Sequence, residues 1–247
     1  MSYFLAAQPL EPGATLTLSG AEADHLLKSR RMRPGERFAL QDPAGARFVV
    51  ELLGQAGRTA TVRVLEPAPV PAPPPCRVTL VQAAVKEKAA EWIVQKATEL
   101  GVATVRFFPA ERSTVPTRLL AAPRTRQRWE RIAWEACKQS DRPAPPALEV
   151  APNLAEALAG AEAARRAWLL HPLPTTPDGA PVPEALAADE TALALVGPEG
   201  GFTEAEVTTA LAAGLRPVRL GGRALRAETA ALAACTLLLY GAPVARP

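Results

Sequence analysis

Leu193–Val207 reads L-A-L-V-G-P-E-G-G-F-T-E-A-E-V, and Arg216–Leu239 reads R-P-V-R-L-G-G-R-A-L-R-A-E-T-A-A-L-A-A-C-T-L-L-L. Leu193–Val196 is a short apolar run that stops at Gly197-Pro198, with Gly200-Gly201 before Thr203, so it reads as a buried strand entering a glycine loop. Thr203 with Glu206 forms a capping box, Val207 and Leu211 supply apolar helical spacing, and Gly214 is the expected stop. The pattern then repeats. Arg216–Leu220 reads as a second strand, Gly221-Gly222 as a second glycine loop, and Glu228 or Thr229 as the opening of a helix rich in Ala and Leu that runs to Tyr240.

Two such units in tandem place two glycine loops at the carboxyl ends of neighbouring strands, where open α/β sheets bind ligands. Glycine lets backbone groups approach a ligand closely, and a helix N-terminus favours negative charge. Each loop taken alone also reads as a tight turn. Neither fits the dinucleotide spacing G-x-G-x-x-G, and no G-K-[ST] follows to form a phosphate loop.

G-P-E-G-G-F-T-E-A-E (Gly197–Glu206) followed by L-G-G-R-A-L-R-A-E-T-A (Leu220–Ala230) resembles the signature of the RsmE family. That family methylates N3 of a uridine in 16S rRNA with S-adenosylmethionine and belongs to the SPOUT superfamily. Further stretches of the chain are similar to the family: Lys86 and Lys88, W-I-V-Q-K-A-T-E-L-G-V at Trp92–Val102, E-R-S at Glu111–Ser113, and R-W-E-R-I-A-W-E-A-C-K-Q-S-D-R at Arg128–Arg142. The resemblance implies an α/β fold: a C-terminal trefoil-knotted SPOUT domain with a mostly parallel sheet, and a small N-terminal PUA-like β-barrel that helps hold RNA. Connection rules make knots rare, so the knot comes from the resemblance alone. The resemblance also implies S-adenosylmethionine as cofactor, held by Leu170 and His171 of the first loop, by Val196, Gly197, Pro198 and Gly200, and by Leu220, Gly221, Gly222 and Leu225. Its other implications are 16S rRNA in the small ribosomal subunit as partner and a homodimer.

Methyl transfer to uracil N3 requires alignment of donor and acceptor and loss of a proton flanked by two carbonyls. The negative charge left on the ring is one that a fixed guanidinium would stabilise. Arg226, between the second glycine loop and the last helix, is the candidate, with a salt bridge to Glu228 or a contact across a dimer as its structural alternative. Glu228 is a candidate to position it, and Glu199 is either a base or an acceptor that closes its loop. Because N3 lies on the Watson–Crick edge, the base must be presented out of pairing. Ribose 2′-O-methylation by another branch of the superfamily is the competing enzyme reading, and a non-catalytic RNA-binding assembly factor is the competing non-enzyme one.

The rest of the chain reads as follows. Phe38–Gln41, Arg47–Leu53 and Thr59–Leu65 are short strand-like runs separated by turn chemistry, so residues 1–66 form a β-rich domain with barrel-like spacing. Ser19 and Glu22 form a capping box for a short helix carrying His25, Leu26 and Leu27. Lys28, Arg30, Arg31 and Arg33 follow, either a phosphate-contact patch or a solvated helix end. Six prolines within Glu66–Pro75 make residues 67–75 a stiff linker. From Arg77 the pattern is α/β over residues 76–247. Val78–Ala84 is a strand, Glu87–Leu100 a helix ended by Gly101, Val105–Phe108 a strand, and Pro123–Lys138 a helix. A helix capped by Asn153 runs to about Ala163, and the strand Ala167–Leu170 stops at His171-Pro172 before a Pro-rich loop. Alternating strands and helices imply a largely parallel sheet. Arg112, Glu135, Gln139 and Arg142 have nothing nearby in sequence to satisfy them and are candidate RNA or active-site contacts, whereas Lys96 and Glu99 read as a surface ion pair.

Charge is uneven: residues 76–150 carry 13 Lys/Arg against 8 Asp/Glu, and residues 151–247 carry 7 against 10. A basic centre suits a polyanionic partner. The three cysteines, Cys76, Cys137 and Cys235, are far apart and form no C-x-x-C, so neither a disulfide framework nor a metal site is expected. No segment reaches the roughly 18 apolar residues that span a bilayer, and the N-terminus lacks a basic export signal. A cytoplasmic protein is expected.

Overall fold

The computed structural model describes residues 3–74, 76–171, 186–187 and 189–241, so the Pro-rich loop expected after His171 lies largely outside the described residues. By internal contacts the chain divides into two units: Met1–Ala72 with Cys137–Ala144, and Pro73–Ala136 with Pro145–Pro247.

The first unit contains β1 (Tyr3–Leu5), β2 (Thr15–Leu18), the short helix α1 (Gly20–Asp24) continuing as a π-helical turn at His25–Ser29, β3 (Arg37–Gln41), β4 (Arg47–Ala56) and β5 (Thr59–Pro67). They form one sheet in the order β1-β3-β4-β5-β2, antiparallel except for the parallel β1–β3 pair. Period-2 alternation turns Val50, Leu52, Val62 and Val64 into the core with Leu26, Phe4 and Phe38. β1 and β2 stand at the two ends of the strand order and do not pair with each other, so the sheet is a curled half-barrel, the coarser form of the barrel that the strand spacing suggested. Nor does the expected box at Ser19 form, because Ser19 caps nothing with its side chain. Glu22 is drawn away: its Oε2 accepts from the Leu5 N–H at 3.1 Å and its Oε1 pairs with Lys138.

That Lys138 belongs to a segment the sequence reading assigned elsewhere. Arg47, with only 3% of its side chain exposed, pairs with Asp141, donates to Gln41 Oε1 at 3.0 Å and lies 4.1 Å over the Tyr3 ring. Tyr3 donates to the Arg142 carbonyl at 2.6 Å, and Gln41 to that of Pro143 at 2.8 Å. A buried guanidinium is tolerated only with such partners, which ties 137–144 to the first unit.

The second unit runs β6 (Arg77–Ala83), α2 (Glu87–Leu100), β7 (Thr104–Phe108), α3 (Thr117–Leu120), α4 (Pro123–Ser140), β8 (Ala147–Val150), α5 (Leu154–Ala157), β9 (Arg166–Leu170), β10 (Thr191–Val196), α6 (Glu204–Ala212), β11 (Arg216–Pro217) and α7 (Ala227–Tyr240). The last turn of α4 is counted with the first unit. Six strands, every pair parallel, lie in the order β11-β9-β10-β6-β7-β8. Helices cover both faces, which explains the unbroken apolar runs. Along β10, Ala192, Ala194 and Val196 pack in one cluster with Ile93 of α2 and Ala231 and Leu238 of α7, whereas Leu193 and Leu195 pack in the other with Leu154 of α5 and Val207 of α6.

Several expected bounds shift. The helix after Asn153 is one turn long, because the chain takes a left-handed conformation at Gly160 (φ +88°) before a 3-10 turn at Ala161–Ala163. The strand expected over Arg216–Leu220 pairs only at Arg216–Pro217, beyond which a single bond from the Val218 N–H to the Leu169 carbonyl (2.8 Å) holds the chain to β9. Leu211 is 40% exposed, and Val207 with Ala210 makes the buried face of α6 instead. β1, β2 and β8 had no expectation.

Candidate active site

In the second unit the chain runs from β6 outward to β7 and β8, then jumps to the opposite side of β6 for β10 and β9. Such a reversal opens a crevice at the carboxyl ends of the strands. Here those ends are level, since Val196 of β10 stands in register with Gln82 of β6 and with Leu170 of β9. A cavity of about 1100 Å³ opens there.

Among the expected cofactor residues, Leu170, His171, Val196, Gly197, Pro198 and Leu225 line this cavity, but Gly200, Leu220, Gly221 and Gly222 do not. Gly200 faces away onto Arg112: a Cβ there would lie 3.1 Å from Arg112 Cβ and 3.2 Å from its carbonyl oxygen, a tight approach that would press Arg112 back by a few tenths of an ångström. Leu220 is half-buried against the core, while Gly221 and Gly222 are exposed.

All three candidate catalytic residues, Arg226, Glu228 and Glu199, line the cavity. Arg226 is the N-cap of α7, exposed, and among the described residues its guanidinium has neither a hydrogen bond nor an ion pair; Glu228 does not bridge to it. The salt-bridge alternative is therefore not what the structure shows. His171 sits at the end of β9 with its ring 6.1 Å from that of Phe202. Burial and, secondarily, the Arg112 charge hold its imidazole below the usual range, favouring the neutral form.

Ten wall residues have no counterpart among the expected site residues, and four of them, Lys86, Lys88, Ala89 and Trp92, come from the start of α2 and the residue before it. Their placement directly after a central strand was a usable signal. Gln82 is a second omission. Its side chain is fully buried, and Nε2 donates to the carbonyls of Ala83 at 3.0 Å and Gly197 at 3.2 Å, fastening the first glycine loop to β6. Its Oε1 is buried without a partner.

Of the residues expected to touch RNA, Arg112 donates to the carbonyls of Gly200 at 3.4 Å and Phe202 at 3.3 Å, bracing the glycine loop from outside. Arg142 and the cluster Lys28, Arg30, Arg31 and Arg33 lie in the first unit, the cluster exposed and Lys28 paired to Asp24 at 2.8 Å. Glu135 and Gln139 are exposed on α4, and Lys96 and Glu99 form the expected pair at 2.9 Å. Among the described residues no His, Cys, Asp and Glu group is arranged to hold a metal ion, and no helix is long and apolar enough to cross a membrane.

A model of the RNA methyltransferase domain family matches residues 72–239. Proteins named ribosomal RNA small subunit methyltransferase E are similar to this chain. The one from Mycobacterium tuberculosis is 33% identical over 95% of this chain and 89% of its own, and the one from Synechocystis is 34% identical over 93% and 75%. Among solved structures, the protein of that name from Neisseria gonorrhoeae bound to S-adenosyl methionine superposes with a TM-score of 0.78 at 30% identity, covering 96% of this chain and 95% of that one. A methyltransferase from Legionella pneumophila in complex with SAM gives 0.81 at 27% identity and covers 95% of each chain.

Proposed function

From the premise that the chain belongs to the ribosomal RNA small subunit methyltransferase E family, we propose that it transfers the methyl group of S-adenosylmethionine to N3 of a uridine in 16S rRNA. The observation that carries this reading is the cavity at the level ends of β9, β10 and β6, which gathers Arg226, Glu228 and Glu199 around apolar walls.

The lining fits the cofactor. Leu170, Val196 and Leu225 offer apolar surface for a purine, and the two carboxylates suit a cationic sulfonium and amino group. When bound, the cofactor supplies a methyl group already activated by positive sulfur. The chain's own residues align and deprotonate. Gln82 and Arg112 hold the first glycine loop from inside and outside, so the wall is rigid before ligand arrives. Arg226, unpaired and beside the cavity, stabilises the charge that spreads onto the uracil oxygens as the N3 proton leaves. Glu199, exposed on the cavity wall, is assigned as the acceptor of that proton.

The exposed Lys28–Arg33 cluster, in the turn and loop between α1 and β3, supports a PUA-like, RNA-holding role for the first unit. The return of α7 onto β6 and β10 after the chain has reached β11 at the sheet's edge supports a trefoil-threaded second unit. A homodimer in the cytoplasm completes the reading. It is supported by the half-buried Leu232 and Leu237 on α7 and the 43% exposed Trp92 on α2, apolar surface that a second copy would cover. Light scattering at micromolar concentration is expected to give twice the chain mass, and a monomeric mass would refute the dimer.

Mass spectrometry of nucleosides from rRNA treated with the protein and S-adenosylmethionine tests the chemistry. We expect N3-methyluridine. A 2′-O-methylated nucleoside would move the protein to the ribose-methylating branch, and no product together with no cofactor binding would make it a non-catalytic RNA-binding factor.

A further inference from the structure

A second cavity, of about 790 Å³, shares a wall with the first. Lys88, Ala89 and Trp92 face the first cavity, whereas Glu87, Ala90 and Glu91 face the second, so the opening turns of α2 are the ridge between them. The second cavity has apolar lining from the half-buried Val115 and from Leu119, while Trp129, only 3% exposed, is stacked inward on Phe107 with ring centroids 4.4 Å apart. At its edge Leu119 is 50% exposed.

Its rim carries three arginines, Arg124, Arg128 and Arg131, against two glutamates, Glu87 and Glu91. Arg128 is held by Glu91 through contacts of 2.7 and 3.0 Å, and together with Arg131 it keeps the Glu91 carboxyl below the usual range. Arg124 and Arg131 line the groove, are exposed, and make neither a hydrogen bond nor an ion pair among the described residues. Apolar side chains at Val115 and Leu119 beside exposed guanidinium groups suit a nucleotide, whose base packs on the apolar side chains while its phosphate meets the forked cations.

We propose that this groove binds the single-stranded nucleotide next to the one being methylated. The inference rests on the function proposed above: a base withdrawn into the first cavity obliges its neighbours to leave across the α2 ridge. That ridge is about 10–12 Å wide, the diameter of a helix. Lys86 and Lys88 on the near side and Arg124 and Arg131 on the far side then form one cationic track along the RNA backbone.

The test uses the full chain carrying Arg124→Ala with Arg131→Ala, both exposed positions whose loss leaves folding intact. Anisotropy of a short fluorescent uridine-containing single-stranded RNA is measured at several salt concentrations, together with cofactor Kd and oligomeric mass. RNA affinity is expected to fall about tenfold or more at low salt, and the slope of log affinity on log salt to become shallower by about 0.7 for each arginine lost. Cofactor Kd stays as in the parent. Arg124→Lys with Arg131→Lys restores the slope but only part of the affinity, because an ammonium lacks the fork. Unchanged RNA affinity and slope in the alanine variant overturn the proposal, as does a variant that loses oligomeric mass while binding RNA normally, which would give the groove to a second copy of the chain. Binding is read without methyl transfer, so the two readings fail separately. RNA held through these arginines without N3-methyluridine formation overturns the chemistry alone, and methylation with unaltered RNA binding overturns the groove alone.

Discussion

Arg226 is free among its described neighbours, which separates its chemical role from any structural one. Arg226→Ala is expected to slow methyl transfer by about 10²- to 10³-fold, the scale of removing one oxyanion donor. Cofactor Kd should scarcely change, and higher pH should restore part of the rate, since hydroxide then removes the proton that the cation no longer loosens. Earlier melting and lost cofactor binding without rescue would instead make the residue structural. His171 behaves oppositely with pH. Its folded pKa lies below the ordinary value of 6.5, so its contribution is complete above that value and is lost as pH falls through it toward the lower folded value. Below about pH 6.5 the parent protein should therefore lose melting temperature faster than His171→Gln, and parallel curves would contradict this. Gln82 shows why some of the site escapes sequence reading: it is one polar residue near the end of the seven-residue β6, and only the fold brings its amide to the Gly197 carbonyl.

Among the elements, α6 was readable because its information is local. Thr203 Oγ1 accepts from the Glu206 N–H at 3.3 Å, and Glu206 Oε2 accepts from the Thr203 N–H at 2.9 Å, the reciprocal box that the four-residue pattern specifies. The second use of Glu206 was not readable: its Oε1 also accepts from the Glu111 N–H at 2.9 Å, across 95 residues of chain, and so anchors the turn that presents Arg112 to the glycine loop. Thr203→Ala should cost about 1 kcal/mol in chemical denaturation. Glu206→Ala should cost more, about 1–3 kcal/mol beyond that, and should weaken cofactor binding while Thr203→Ala does not. Equal costs with equal cofactor affinity would show that the Glu111 contact carries nothing. The same contrast runs through the chain. α2 and β10 follow from periodicity, whereas the two-residue β11 and the half-buried β8 exist only because a neighbouring strand supplies their partners. The Asn153 cap was legible, but the length of its helix was fixed by Gly160, whose left-handed φ no periodicity announces.

On the scale of the whole molecule, the proline-rich segment marks one passage between the units, but the chain makes two more, at Ala136–Cys137 and Ala144–Pro145. The first unit is thus assembled from two separated pieces, with Arg47, Gln41 and Glu22 gripping the second piece through Asp141, Pro143 and Lys138. Buried thiols stand in both units: Cys137, pushed up to about 11 by burial, in the first, and Cys76, raised by burial, with Cys235, pushed up to about 12, in the second. All three should resist thiol reagents in the native protein, because the thiolate is the reactive species. Unfolding the first unit strips its inserted piece and frays α4, whose earlier turns carry Trp129 into the other core. Cys137 of the first unit and Cys235 of the second should therefore become reactive at one denaturant concentration, and separated labelling of these two would contradict this. Modularity is the quantity at stake. A chain that visits one unit, leaves it and returns cannot surrender that unit to a single cut, so a fragment starting at Cys76 keeps residues 137–144 as an orphaned insert, and a functional exchange of the N-terminal half between relatives has to carry that insert with it.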